Sequence, residues 1–207
     1  MGRFGWKANQ PSIRQQVSAA LAGDIGITTP LFNNENYTNR QLDLLKTKNL
    51  ASGGNPELND KNLEKTVLYS QNLAVPIRRN IDNQDVIVGE KLFTQLSCNK
   101  CHITNLKSGD EIINPYTDLL LHDLGDDLAD NRPDFLATGN EWRTPPLWGI
   151  GLFKTVNGHT NYLHDGRANN LSEAVLWHDG EAKNAKNLYK QLSKSERLSL
   201  IKFLESL

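Results

Sequence analysis

Apolar residues along this chain recur at helical spacing. Residues 12–22 form an amphipathic pattern that Gly23 is expected to stop, and 59–73 form another, with Asn59 or Asp60 as cap and Pro76 beyond it. In 85–96, Val86, Gly89, Leu92, Phe93 and Leu96 share one helical face, and the segment runs straight into Cys98. Leu171, Ala174, Val175 and His178 stand at i, i+3, i+4 and i+7, with Asn170 and Glu173 placed to cap the turn. Ser193 and Glu196 spell a capping box ahead of Leu198, Leu200, Ile201, Leu204 and Leu207, a terminal amphipathic helix. No segment of any length alternates apolar and polar residues, so the pattern predicts an all-α fold. Residues 26–56 are polar and rich in Asn, Thr and Gly, and read as an irregular connection; 104–170 read as long loops rich in Gly, Pro and Asp.

Cys98-Asn99-Lys100-Cys101-His102 is the attachment signature of c-type haem. Two thiols three positions apart reach the two vinyl groups of one porphyrin, while the adjacent imidazole turns beneath the iron as its proximal ligand. A structural zinc site would want four Cys or His ligands, and a thioredoxin-like pair would want a βαβ pattern around it; the sequence offers neither. One covalent haem c is therefore expected. A helix entering the motif and a closing C-terminal helix match the cytochrome c plan. The expected architecture is a cytochrome c-like domain over 81–207 with haem-wrapping loops, preceded by an irregular N-terminal extension over 1–80.

Length and charge narrow the picture. The chain of 207 residues suits one core with an extension. A formal net charge of -1 without Lys/Arg runs argues against nucleic acid as a partner, and no apolar stretch reaches the length of a membrane span. The first residues lack a secretory signal's apolar segment, although c-type haem is attached outside the cytoplasm, which points to the periplasm.

Five further segments carry a resemblance: Gly-Arg-Phe-Gly-Trp-Lys-Ala at 2–8, Gly-Asp-Ile-Gly-Ile-Thr at 23–28, Pro-Tyr-Thr-Asp-Leu-Leu-Leu-His-Asp at 115–123, Glu-Trp-Arg-Thr-Pro-Pro-Leu-Trp-Gly at 141–149, and Leu-His-Asp-Gly-Arg-Ala at 163–168. Together they resemble the di-haem oxidoreductase family of peroxidase-like proteins, which is similar to bacterial di-haem cytochrome c peroxidases. Members of that family usually carry two c-type haems. Here one attachment motif is present and the chain opens where a full-length relative is midway. The resemblance thus implies the C-terminal, one-haem half, with residues 1–80 as a remnant of the region between domains. Set beside such relatives, the first haem domain and the signal peptide are missing from this sequence.

The sixth iron ligand is open to choice. Met1 is the only methionine, so a His/Met haem is not expected. His178 lies on the apolar helical face, and the resemblance selects it too, because relatives place the second haem's axial ligand 14 positions after the His of His-Asp-Gly, here His164. His164 itself or an open position are the alternatives. Arg143 and Arg167 suit haem propionates, since guanidinium matches carboxylate geometry, and His164 and His122 are candidates for the same role or for holding loops. Relatives use a Thr five residues before that His in a calcium site; the position is His159 here, which speaks against calcium. The reading is an electron-transfer domain of a di-haem peroxidase-like oxidoreductase, exchanging electrons with a donor or acceptor protein or with a second haem domain. The alternative is a catalytic haem, which would leave one coordination position open to peroxide or another small substrate.

Overall fold

The computed structural model describes residues 2–46 and 52–207. These fall into two compact units, Met1–Gly5 with Gln10–Ala74, and Trp6–Asn9 with Val75–Leu207.

The first unit is built on α1 (Ile13–Asp24) and α3 (Asp60–Gln71), joined by a connection that contains α2 (Asn39–Leu45). Ser12 caps α1 by accepting from the Gln15 N–H, and Asn59 caps α3 by accepting from Asn62. The chain runs helically through Gly23 to Asp24, so that glycine does not end the helix. Arg14 bridges the pair through Glu64 (2.6 Å) and Asp60 (2.5 Å), over the buried Leu63, Val67 and Ser18. Among its described residues, the expected irregular connection over 26–56 holds one helix after all. Thr38 and Gln41 close a capping box on α2, a short polar signal without an apolar stripe beside it. Part of that stretch, 47–51, lies outside the described residues.

The second unit is organised by α4 (Gln84–Gln95) against α8 (Lys194–Ser206). Asn83 caps α4, and Ser193 with Glu196 closes the expected capping box on α8. The helices approach closely at Gly89, where an added Cβ would sit 2.0 Å from the Ser199 carbonyl oxygen. Around the crossing, Val86, Leu92, Phe93, Leu96, Leu200, Phe203, Leu204 and Leu207 form the core with Tyr116, Leu147, Leu171 and Tyr189. The Phe93 and Phe203 rings lie 5.2 Å apart. Arg78 grips Glu90 through both nitrogens, at 2.9 and 2.8 Å. The remaining helices are α5 (Phe153–Asn157), α6 (Leu171–Trp177) and α7 (Lys183–Gln191).

The fold is predominantly helical, but it is not all-α, and that expectation is corrected here. Strand β1 (Leu106–Ser108) pairs antiparallel with β2 (Glu111–Ile113), and β3 (Leu121–Asp123) pairs antiparallel with β4 (Glu141–Arg143). Each strand has three residues, too few for alternation to register in the sequence. Both ribbons lie within the expected loop region, 104–170. The second ribbon unites two of the family-like segments, in the register Leu121 to Arg143, His122 to Trp142 and Asp123 to Glu141.

Residues Trp6–Asn9 complete this second unit. The Arg143 N–H donates to the Trp6 carbonyl at 2.8 Å, and Asn9 donates to Asp134 at 2.6 Å. Lys7 is buried and donates to Asp130 (3.2 Å) and to the carbonyls of Thr138 (2.9 Å) and Gly139 (3.0 Å). Its ammonium lies 3.7 Å from the centre of the Trp142 ring. The compact body that carries the Cys-His motif thus needs four residues from the start of the chain. Among the described residues, no helix is long and apolar enough to cross a membrane.

Candidate functional site

Helix α4 ends at Gln95 with Leu96 as its C-cap, and Ser97 turns the chain with φ of 63° into a 3-10 turn over Cys98–Lys100. The Cys101 and His102 N–H groups both donate to the Cys98 carbonyl, which curls the five residues of the motif on themselves. Both cysteines are free thiols, and burial pushes each up to about 11. They are therefore protonated and chemically quiet at neutral pH.

His102 Nδ1 lies 2.9 Å from the Tyr116 carbonyl oxygen. A carbonyl only accepts, so Nδ1 carries the proton and Nε2 carries a lone pair. Several bonds hold Tyr116 where it can do this. Its φ is 55°, its neighbour Thr117 donates from Oγ1 to the Thr144 carbonyl at 2.6 Å, and the Thr117 N–H donates to Ile103 at 3.0 Å. The Leu147 N–H donates to Pro115 at 2.9 Å. The motif segments 115–123 and 141–149 are thus the scaffold that fixes the His102 ring. His102 is half-buried. Burial pushes its pKa down to about 4 against the pull of the Tyr116 carbonyl, and charge on His178 lowers it further.

His178 repeats the arrangement. Helix α6 ends at Trp177, so His178 is its extended C-cap and not a member of the helical face that the spacing suggested. Its Nδ1 lies 2.7 Å from the Ala174 carbonyl, one turn back, which again leaves the lone pair on Nε2. Burial, first among the causes, lowers its pKa. The structure brings these two histidines close enough for the charge of one to act on the other.

His164 stacks on Trp142 with ring centres 3.5 Å apart and planes 13° from parallel, on the residue that Lys7 also touches. The Trp142 Nε1–H donates to Leu128 at 3.1 Å. Arg143 is half-buried beside it, its guanidinium donating to the Thr144 carbonyl at 3.3 Å, and burial pulls its pKa below the usual value. Arg167 pairs with Asp165 at 2.6 Å, donates to the Asp127 carbonyl and lies 4.7 Å over Trp177. His159 accepts from the Asn161 N–H and meets Phe153 edge-on.

A feature that sequence reasoning did not single out is a group beside Cys101. Its sulfur, a carboxylate oxygen of Asp118 and a nitrogen of His122 all lie within 4.8 Å of one another. His122 reaches Asp118 through Nε2 and Glu181 through Nδ1, both at 2.8 Å. Both ring nitrogens are thus engaged by carboxylates, which leaves neither for a propionate. Separation in the chain hides this cluster, since Glu181 stands 59 residues from His122.

A family model described as "Di-haem oxidoreductase, putative peroxidase" matches residues 1–207. The chain belongs to the di-haem oxidoreductase family. Membership makes haem the implied cofactor and oxidoreduction the class of chemistry. Among curated proteins, none matches. Among solved structures, a chain of Kuenenia stuttgartiensis hydrazine synthase is similar, with 20% identity and a TM-score of 0.52 over 72% of this chain. This chain spans 55% of that one, and at such identity the likeness concerns the fold alone.

Proposed function

We propose that this member of the di-haem oxidoreductase family binds one haem c, joined to Cys98 and Cys101, and works as an electron-transfer centre. The observation that carries the reading is the donor set. Two protonated thiols stand beside His102, and two imidazoles, His102 and His178, each have Nδ1 tied to a backbone carbonyl and a lone pair on Nε2. That set fits haem c: Cys98 and Cys101 would hold the porphyrin through their sulfurs, and His102 and His178 would hold the iron through their ring nitrogens. Bound there, the iron would supply a one-electron couple.

The chain's own residues do the rest. Tyr116 and Ala174 fix ring orientation and tautomer, so neither imidazole needs to reorganise or lose a proton to ligate. The core around Phe93, Leu96 and Leu171 excludes water from one side of the site. Arg143 and Arg167 supply cationic donors for propionates, with His164 as a further polar contact. With His178 as sixth ligand, no coordination position remains for peroxide, which favours relay over catalysis. The electrons pass to or from a partner protein or a second haem domain. Because c-type haem is attached outside the cytoplasm, the expected compartment is the periplasm.

The test is covalency. Protein produced with a c-type maturation system should keep its haem through denaturing electrophoresis and acid-acetone extraction, and the Cys98→Ala/Cys101→Ala double variant should lose it. Haem extracted from the unmutated protein would overturn the reading.

A further inference from the structure

The haem reading makes no use of His122, yet this side chain is clamped at both nitrogens. Asp118 Oδ2 lies 2.8 Å from Nε2, and Glu181 Oε2 lies 2.8 Å from Nδ1. A neutral imidazole has one N–H and one lone pair, whereas a carboxylate only accepts. Neutral His122 therefore turns its lone pair on one of the two carboxylates, and only the imidazolium satisfies both. Neither carboxylate is free to turn away. The Asp118 Oδ1 accepts from the Leu120 N–H at 2.9 Å, and Glu181 Oε1 accepts from the Asp123 N–H at 3.0 Å. Most of the cluster is shielded, with side-chain exposures of 16% for His122 and 6% for Asp118, while Glu181, at 55%, opens it to solvent.

The place of the clamp gives it meaning. Cys101 Sγ lies within 4.8 Å of the Asp118 and His122 donor atoms, so a haem joined to Cys101 has this proton site at its edge. We propose that His122, held between Asp118 and Glu181 beside Cys101, takes up one solvent proton when the centre is reduced and releases it on oxidation. The inference rests on the covalent-haem reading. Each half balances: an external one-electron donor takes the iron from ferric to ferrous, and water supplies the proton that binds the imidazole nitrogen, with no ligand bond broken. The added electron lowers the positive charge beside His122 and so favours the imidazolium. By linkage, the haem potential falls as pH rises.

The surrounding charges leave the assignment clear. Asp118 comes from the preceding loop and Glu181 from the 3-10 turn Gly180–Ala182, with His102, Cys101 and Lys100 on the motif side. On the paired strand, Trp142 stands opposite His122, while strand alternation sends Arg143, Glu141 and Asp123 to the other face of the ribbon. Lys183 and Lys186 are engaged with Asp179. Burial alone would lower the His122 pKa, but the hydrogen bonds to Glu181 and Asp118 outweigh it and hold the group above 6.5. Coupling is thus expected over a pH window that lies above that of an ordinary histidine.

Spectroelectrochemical titration of the matured, haem-bearing protein between about pH 5 and 9 tests this. The wild-type potential should decline with pH by up to about 59 mV for each tenfold change in proton activity. His122→Gln should flatten the curve over that window. Glu181→Gln, at an accessible position, should keep a pH-dependent potential and move its inflection to lower pH, a shift that a purely structural role would not produce. A flat wild-type curve, an unchanged slope in His122→Gln, or an unmoved inflection in Glu181→Gln overturns the proposal. Haem held covalently with a pH-independent potential defeats this inference alone; a matured chain without covalent haem defeats the haem reading with it.

Discussion

Replacing Gly89 with alanine tests how the second unit is assembled. The new Cβ would stand 2.0 Å from the Ser199 carbonyl oxygen and 2.7 Å from Phe203 Cβ. The first neighbour is backbone inside α8, itself packed in the core, so it has no side-chain rotation by which to yield. Relief requires α4 and α8 to separate. Overpacking of this kind costs about 1–3 kcal/mol, and a clash with backbone belongs at the upper end. Alanine gains back about 1 kcal/mol over glycine inside a helix. The net expectation is a loss of about 2 kcal/mol, or a melting temperature lower by roughly 4–8 °C for a chain of this size. Because α4 leads into Cys98 and its Phe93 ring lies 6.2 Å from His102, the haem absorbance should change along with the helical signal. Thermal melts of the matured protein, followed by far-ultraviolet circular dichroism and by the haem band, provide the measurement. Gly23→Ala is the control, since its Cβ meets nothing within 4 Å, and it should leave the melting temperature unchanged or higher. A Gly89→Ala protein at least as stable as wild type would refute the close crossing of α4 and α8.

Ligation comes next: the ferric protein should be low-spin, and His178→Ala should give a high-spin or water-ligated form that binds azide more readily, whereas the same outcome in His164→Ala alone would move the assignment. The isolated chain should reduce peroxide no faster than free haem in a steady-state assay with a reduced dye donor, and real turnover that survives in His178→Ala but vanishes in His102→Ala would make this a catalytic haem. Lys7→Met keeps the side chain's apolar stem but removes its charge from Asp130 and two carbonyls, and should cost about 2–3 kcal/mol in the melt of the second unit, while no loss would show that Trp6–Asn9 is dispensable. Ser193→Ala removes the acceptor for the Glu196 N–H and should cost about 1 kcal/mol in the same melt.

The site was legible in the sequence only in part, for a physical reason. Cys98, Cys101 and His102 are read directly because the chemistry demands a fixed local spacing, and one 3-10 turn then brings them together. His178 emerged from an apolar periodicity, yet its ring is set by the cap beyond the helix, a geometry that periodicity does not encode. The carbonyl that orients His102 comes from Tyr116, 14 residues on, and the Glu181 carboxylate that clamps His122 comes from 59 residues away. Such partners leave no local trace.

The same division runs through the fold. Helix starts at Ser12, Asn59 and Ser193 are determined by residues three positions apart, whose side chains and backbone N–H groups meet within a single turn whatever surrounds them. The Cys-x-x-Cys-His spacing of 98–102 is likewise a property of nearly consecutive residues. Tertiary structure alone decided the ribbon of β3 with β4, whose three-residue strands gain their order from Thr117, Thr144 and Leu120 across the loop. It alone brought Trp6–Asn9 into the second unit, because a buried lysine among acceptors from 130–139 becomes favourable only once those acceptors are assembled. And it alone showed why residue 89 is glycine, since the Ser199 carbonyl that excludes a side chain there arrives from a helix more than a hundred residues later in the chain.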